Sequence, residues 1–127
     1  MRASSLPKAE IPEFPVYIFD IDGTLLDSAA DICGAIQQVL SPHVPQPLEF
    51  DYLRGFIGYH LDVCFRDVRP DFSREQLDAL IGQYRTTYTG RNHQATKPYP
   101  GVKEMLAALP GRKSTATTKG SPTTRAV

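Results

Sequence analysis

Apolar residues along this chain change period several times, and each change marks an element. Val16-Tyr17-Ile18-Phe19 is a short unbroken apolar run that stops at Asp20. Its β-branched and aromatic content and its lack of alternation predict a strand buried on both faces, as in a parallel sheet. A polar turn, Asp22-Gly23-Thr24, follows at once. From Ser28 the period becomes helical: Ala29, Ile32, Cys33, Ile36, Val39 and Leu40 recur at three and four. Ser28 and Asp31 have the spacing of a capping box, which predicts the helix start. Pro42, Pro45 and Pro47 end it, because proline removes a backbone donor and clashes with the preceding turn.

Residues 49–54 and 59–68 predict two short helices around the turn Gly55-Phe56-Ile57-Gly58. Ser73 with Gln76 makes a second capping box. Leu77, Leu80, Ile81, Tyr84 and Tyr88 carry an amphipathic helix to about Thr89. Lys97-Pro98-Tyr99-Pro100-Gly101 predicts a stiff connector. Val102, Met105, Leu106 and Leu109 form one more helical face, stopped by Pro110-Gly111, and Arg112 onward is polar. The order strand, helical insert, helix, weak strand predicts an α/β core interrupted by an all-helical lobe.

Composition adds exclusions. With 127 residues, 41% of them hydrophobic and 22% charged, the chain reads as a globular protein of one domain, or of one domain and part of a second. Fourteen basic residues balance fourteen acidic ones, so nothing predicts a nucleic-acid or anionic-membrane partner. No apolar run approaches the ~20 residues that cross a bilayer. Met1 to Pro7 lacks the apolar centre of a signal peptide. Cys33 and Cys64 cannot build a disulfide framework, and a cytoplasmic, reducing location is expected. Exposed sheet edges would invite self-association.

The candidate chemistry lies in Phe19-Asp20-Ile21-Asp22-Gly23-Thr24-Leu25-Leu26-Asp27-Ser28. Two carboxylates stand two residues apart where a strand emits its chain, the end at which open parallel sheets bind ligands. Gly23 permits a tight path on which amides can point at a phosphate. On this reading Asp20 is the nucleophile, and Asp22 protonates the leaving alcohol and then activates water. A divalent cation held by Asp20 and Asp22 would offset their repulsion with a phosphate, and magnesium suits an oxygen-only site. The competing readings are a plain Asp-Gly turn and a calcium loop. A calcium loop of the EF-hand type needs glutamate at its twelfth position, where Asp31 stands.

Asp20-Ile21-Asp22-Gly23-Thr24-Leu25 resembles the first motif of the haloacid dehalogenase superfamily, in its phosphoglycolate phosphatase-like branch. The resemblance continues through Leu26-Asp27-Ser28, Phe56-Ile57-Gly58 and Pro98-Tyr99-Pro100-Gly101-Val102. It implies a Rossmannoid α/β core of parallel strands, incomplete in this chain, with an inserted all-helical cap. Residues 14–27 and 98–127 would be core, 28–97 cap, and 1–13 an extended lead-in. It implies a magnesium-dependent phosphomonoester hydrolase working through an aspartyl-phosphate, with a small phosphorylated metabolite as its partner. A β-phosphoglucomutase-like phosphomutase and a non-catalytic fragment are the alternatives. Thr117-Thr118-Lys119 falls at the family's second motif, so Thr117 and Thr118, with the backbone at Ile21 and Gly23, would bind the phosphate. Thr118 stands where asparagine is common, and the segment before it is polar rather than apolar. The third and fourth motifs, a cation and an acidic cluster, find no match. The expectation is therefore an N-terminal portion of a longer phosphatase, and a poor catalyst by itself.

Overall fold

The computed structural model describes residues 12–117. Strand β1 (Val16–Phe19) is followed by a two-residue strand β2 (Leu26–Asp27) and helix α1 (Ala29–Leu40). A 3-10 turn at Ser41–His43 carries Pro42 near its start, where the missing amide costs nothing. Helices α2 (Phe50–Arg54), α3 (Leu61–Val68) and α4 (Arg74–Gly90) complete a helical lobe. The chain returns through β3 (Lys97–Pro98), α5 (Val102–Ala108) and β4 (Arg112–Thr115).

The core belongs to the lobe. Ile32, Cys33, Ile36, Val39 and Leu40 of α1 pack with Leu53, Phe65, Phe72, Leu77, Leu80 and Tyr88 in one continuous cluster. Phe65, Leu40, Leu53 and Leu77 are fully enclosed. Burial of a side chain of this size contributes roughly 1.5–3 kcal/mol. The start of α4 is fixed by the capping box that the sequence predicts: Ser73 Oγ accepts from the Gln76 amide at 3.1 Å, and Gln76 Oε1 accepts from the Ser73 amide at 2.8 Å.

Two small ladders join the ends of the chain. β1 pairs in parallel with β4, in the register Val16 to Arg112 and Phe19 to Thr115. β2 pairs antiparallel with β3, setting Leu26 opposite Pro98 and Asp27 opposite Lys97. The stiff connector is therefore half strand, and its Tyr99 amide donates to the Leu25 carbonyl at 3.1 Å.

Two expectations are corrected. β1 is not buried on both faces: Val16 and Ile18 are 47% and 68% exposed. Among the described residues its one strand neighbour is β4, which is exposed throughout. An apolar run reports a strand's capacity for burial, and only its neighbours supply the burial. The Ser28–Asp31 capping box is also not made, since Ser28 caps no amide of α1 with its side chain. Both side chains have stronger partners elsewhere.

Candidate functional site

The site grows from the end of β1. The Ala116 amide donates to the Phe19 carbonyl at 2.9 Å, carrying the parallel ladder one step beyond β4. Asp20 thus leaves β1 beside Ala116, with Thr117 next along the same edge. Asp20 is exposed, and its Oδ1 accepts from the Ile21 amide at 2.9 Å.

The chain then folds tightly around Ile21, which is buried. The Ile21 carbonyl accepts from the Thr24, Leu25 and Leu26 amides at 3.1, 2.9 and 3.0 Å. Gly23 makes this path possible with φ of 78°, a left-handed conformation costly for other residues. Its amide donates to the Leu26 carbonyl at 2.9 Å. The amides of Ile21 and Gly23, expected to face a phosphate, are both donated within the loop itself.

The two carboxylates have different surroundings. Asp22 is half-buried, and its Oδ1 accepts from Ser28 Oγ at 2.7 Å. Ser28 is enclosed at the head of α1, so the helix start fixes the side chain of the second aspartate. Asp22 reaches the wall of a cavity of about 800 Å³ under the helical lobe, whereas Asp20 is not among the lining residues. The same cavity is lined by Ile81, Tyr84, Arg85 and Tyr88 of α4, by His60 and by Phe56, Ile57 and Gly58. The Tyr84 and Tyr88 rings stack at 5.6 Å. Burial raises the Tyr84 phenol well above its ordinary value, and the nearby Tyr88 and Asp22 add to the shift.

Asp31, next to the site on α1, is wholly buried. Its Oδ1 accepts from Arg91 Nε at 2.9 Å, and its Oδ2 from the Ala95 amide at 3.0 Å and Thr96 Oγ1 at 2.6 Å. Burial alone would raise this carboxyl, but the Thr96, Arg91 and Ala95 donors hold it below the ordinary carboxylate value. Gly34 leaves room for the guanidinium, since a Cβ there would stand 2.8 Å from the nearer Arg91 nitrogen. This network ties the head of α1 to the segment that leads back into β3.

Of the residues expected at the site, the structure brings Asp20, Ile21, Asp22 and Gly23 to one loop and Thr117 to the neighbouring strand end. Thr117 is half-buried and engaged. Thr118 lies outside the described residues. Sequence reasoning missed the Ser28 contact and the Asp31 network. One signal was present: Asp31 interrupts the apolar face of α1 between Ala29 and Ile32.

Among the described residues no group of three or more His, Cys, Asp or Glu side chains gathers as a metal cage. The Asp20–Asp22 pair nevertheless suits magnesium. It offers oxygen donors only, and this ion is commonly held by one or two carboxylates plus water and substrate oxygens.

The chain belongs to the haloacid dehalogenase-like hydrolases, whose family model matches residues 17–121. It is 35% identical over 95 residues to the phosphoglycolate phosphatase of Caulobacter vibrioides, covering 72% of this chain and 40% of that protein. It is 32% identical over 103 residues to a phosphoglycolate phosphatase of Cereibacter sphaeroides, covering 75% and 45%. The chain spans less than half the length of these curated relatives. A predicted phosphatase from Clostridium acetobutylicum has a similar structure, with a TM-score of 0.79 and 26% identity over 89% of this chain and 53% of that one. A hydrolase from Pseudomonas syringae is also similar, with a TM-score of 0.73, 26% identity and the same coverage. The expected α/β fold with a helical insert is thereby established.

Proposed function

We propose that this chain carries the nucleophile and the acid–base group of a magnesium-dependent phosphomonoester hydrolase of the phosphoglycolate phosphatase type. The observation that carries the reading is the different setting of two aspartates two residues apart. Asp20 stands exposed at the tip of β1 beside the end of β4, while Asp22 is turned into the cavity and held by Ser28. One carboxylate is open to a phosphate and the other to the rest of the ester.

In this mechanism an Asp20 oxygen attacks phosphorus, and the bond from phosphorus to the ester oxygen breaks. Asp22 gives its proton to the departing alkoxide, which a positioned acid accelerates roughly 10²–10⁴-fold. Asp22 then takes a proton from water as that water attacks the aspartyl-phosphate. Inorganic phosphate leaves and the Asp20 carboxylate is restored. Asp20 and Asp22 would hold magnesium, whose charge offsets the repulsion between carboxylate and phosphate. Thr117, at the adjoining strand end, would support a phosphate oxygen. The two buried free thiols suit a reducing, cytoplasmic setting.

The test is a titration of the chain with magnesium and beryllofluoride, a mimic of the phosphorylated aspartate, followed by amide NMR. Saturable shifts at residues 20–24 that vanish in Asp20→Asn, with circular dichroism unchanged, are expected. A wild-type spectrum unmoved by both reagents overturns the proposal.

A further inference from the structure

The cavity behind Asp22 has a charge arrangement that the hydrolysis step does not use. Arg74, Asp78, Ile81 and Arg85 follow one another at four, three and four residues, forming a stripe along α4 toward the cavity. Arg74 is already neutralised, 2.9 Å from Asp78 and 3.4 Å from Asp62. Arg85 lies two turns past Asp78, with Ile81, Gly82, Tyr88 and Thr89 at its three- and four-residue neighbours. It makes no ion pair or side-chain hydrogen bond among the described residues. The cavity it shares with Asp22 also has an apolar lining, with Ile32, Ile36, Ile81 and the Tyr84–Tyr88 stack. At about 800 Å³ the space is near the upper end of the ~300–1,000 Å³ of sites for drug-sized ligands. A two-carbon acid would leave most of that wall wet.

We propose that Arg85 is a specificity-determining residue, and that the cavity receives an organic group with an apolar body and an anionic far end. Given the hydrolase reading, on which this rests, that group is the alcohol part of the phosphomonoester. The apolar body covers Ile81 and Tyr84, and its terminal carboxylate or phosphate pairs with the unclaimed guanidinium. Such a substrate is bulkier than phosphoglycolate.

The test measures dissociation constants by calorimetry, with magnesium present, for three probes: para-carboxyphenyl phosphate, phenyl phosphate and phosphoglycolate. para-Carboxyphenyl phosphate is expected to bind tightest. Arg85→Gln should weaken it about tenfold and leave phenyl phosphate unchanged, as the loss of one charge-assisted contact requires. Arg85→Lys should fall between, retaining charge but not the forked geometry. Arg85 is exposed on α4, so these variants keep the core intact. Phosphoglycolate binding as tightly as para-carboxyphenyl phosphate, or Arg85→Gln weakening phenyl phosphate equally, overturns the proposal. A phosphate-free probe, para-hydroxybenzoate, separates the two readings. If it binds through Arg85 while no probe gains affinity from its phosphate, the cavity assignment stands and the hydrolase reading falls. If it and the phosphates all fail to bind, both fall.

Discussion

Ser28 donates its hydroxyl to Asp22 across 2.7 Å, so the first residue of the helical lobe holds the second aspartate of the strand-end loop. The contact makes the lobe part of the site's construction, because any displacement of the head of α1 pulls on Asp22. Ser28→Ala should cost about 1–2 kcal/mol, since it removes an enclosed donor from a carboxylate. Urea unfolding measures that cost. The same variant should bind magnesium more weakly than wild type in a calorimetric titration, as Asp22 loses its fixed rotamer.

Asp31 supplies a pH prediction. Its carboxyl is held below the ordinary 3.8 in the folded chain, so its network favours folding above that pH. The contribution is lost as pH falls through the lowered folded value. Asp31→Asn should therefore flatten the decline of the urea midpoint between pH 5 and pH 3, roughly the range in which such a carboxyl acts. Arg91→Met should cost about 2 kcal/mol at neutral pH. It strands a buried carboxylate, although the Ala95 and Thr96 donors and the partial exposure of Arg91 soften the loss.

Gly111 tests the strand pairing. It has φ of 86°, and a Cβ there would stand 2.6 Å from the Phe14 carbonyl oxygen. Gly111→Ala should cost at least about 2 kcal/mol, from strain and from the backbone shift needed to relieve the clash. Hydrogen exchange should speed up at the Arg112 and Ala116 amides, whose acceptors are Pro15 and Phe19. Unchanged protection at both amides would contradict the pairing described.

Cys33 and Cys64 should not react with thiol reagents until the chain unfolds. Both are buried free thiols, and burial, with Cys33 and Asp67 nearby, pushes Cys64 up to about 12. Mass spectrometry after brief alkylation, with and without urea, counts the labelled cysteines.

Local physics made the helices legible. The spacing of Leu77, Leu80, Ile81, Tyr84 and Tyr88 placed α4, and the Ser73–Gln76 box placed its start. The first motif likewise placed Asp20 and Asp22 on one loop at the strand end. What stayed hidden depended on partners distant in sequence. Asp31 looked like a cap because its partners Arg91, Ala95 and Thr96 are contacts of folding, 60 to 65 residues away. The acceptors of the Ile21 and Gly23 amides, Asp20 Oδ1 and the Leu26 carbonyl, were hidden because no sequence pattern names an amide's acceptor. His60 and Arg85 became neighbours of one cavity only when α3 and α4 packed.

The β1–β4 ladder joins segments with the whole helical lobe strung between them. Closing so long a loop carries an entropic penalty, while helical contacts form among near neighbours. We expect the lobe to condense first and the ladder to zip up last. A chain caught midway would then show nearly full helical content by circular dichroism while Asp20 still lacked its neighbouring strand, and competence would lag behind compaction.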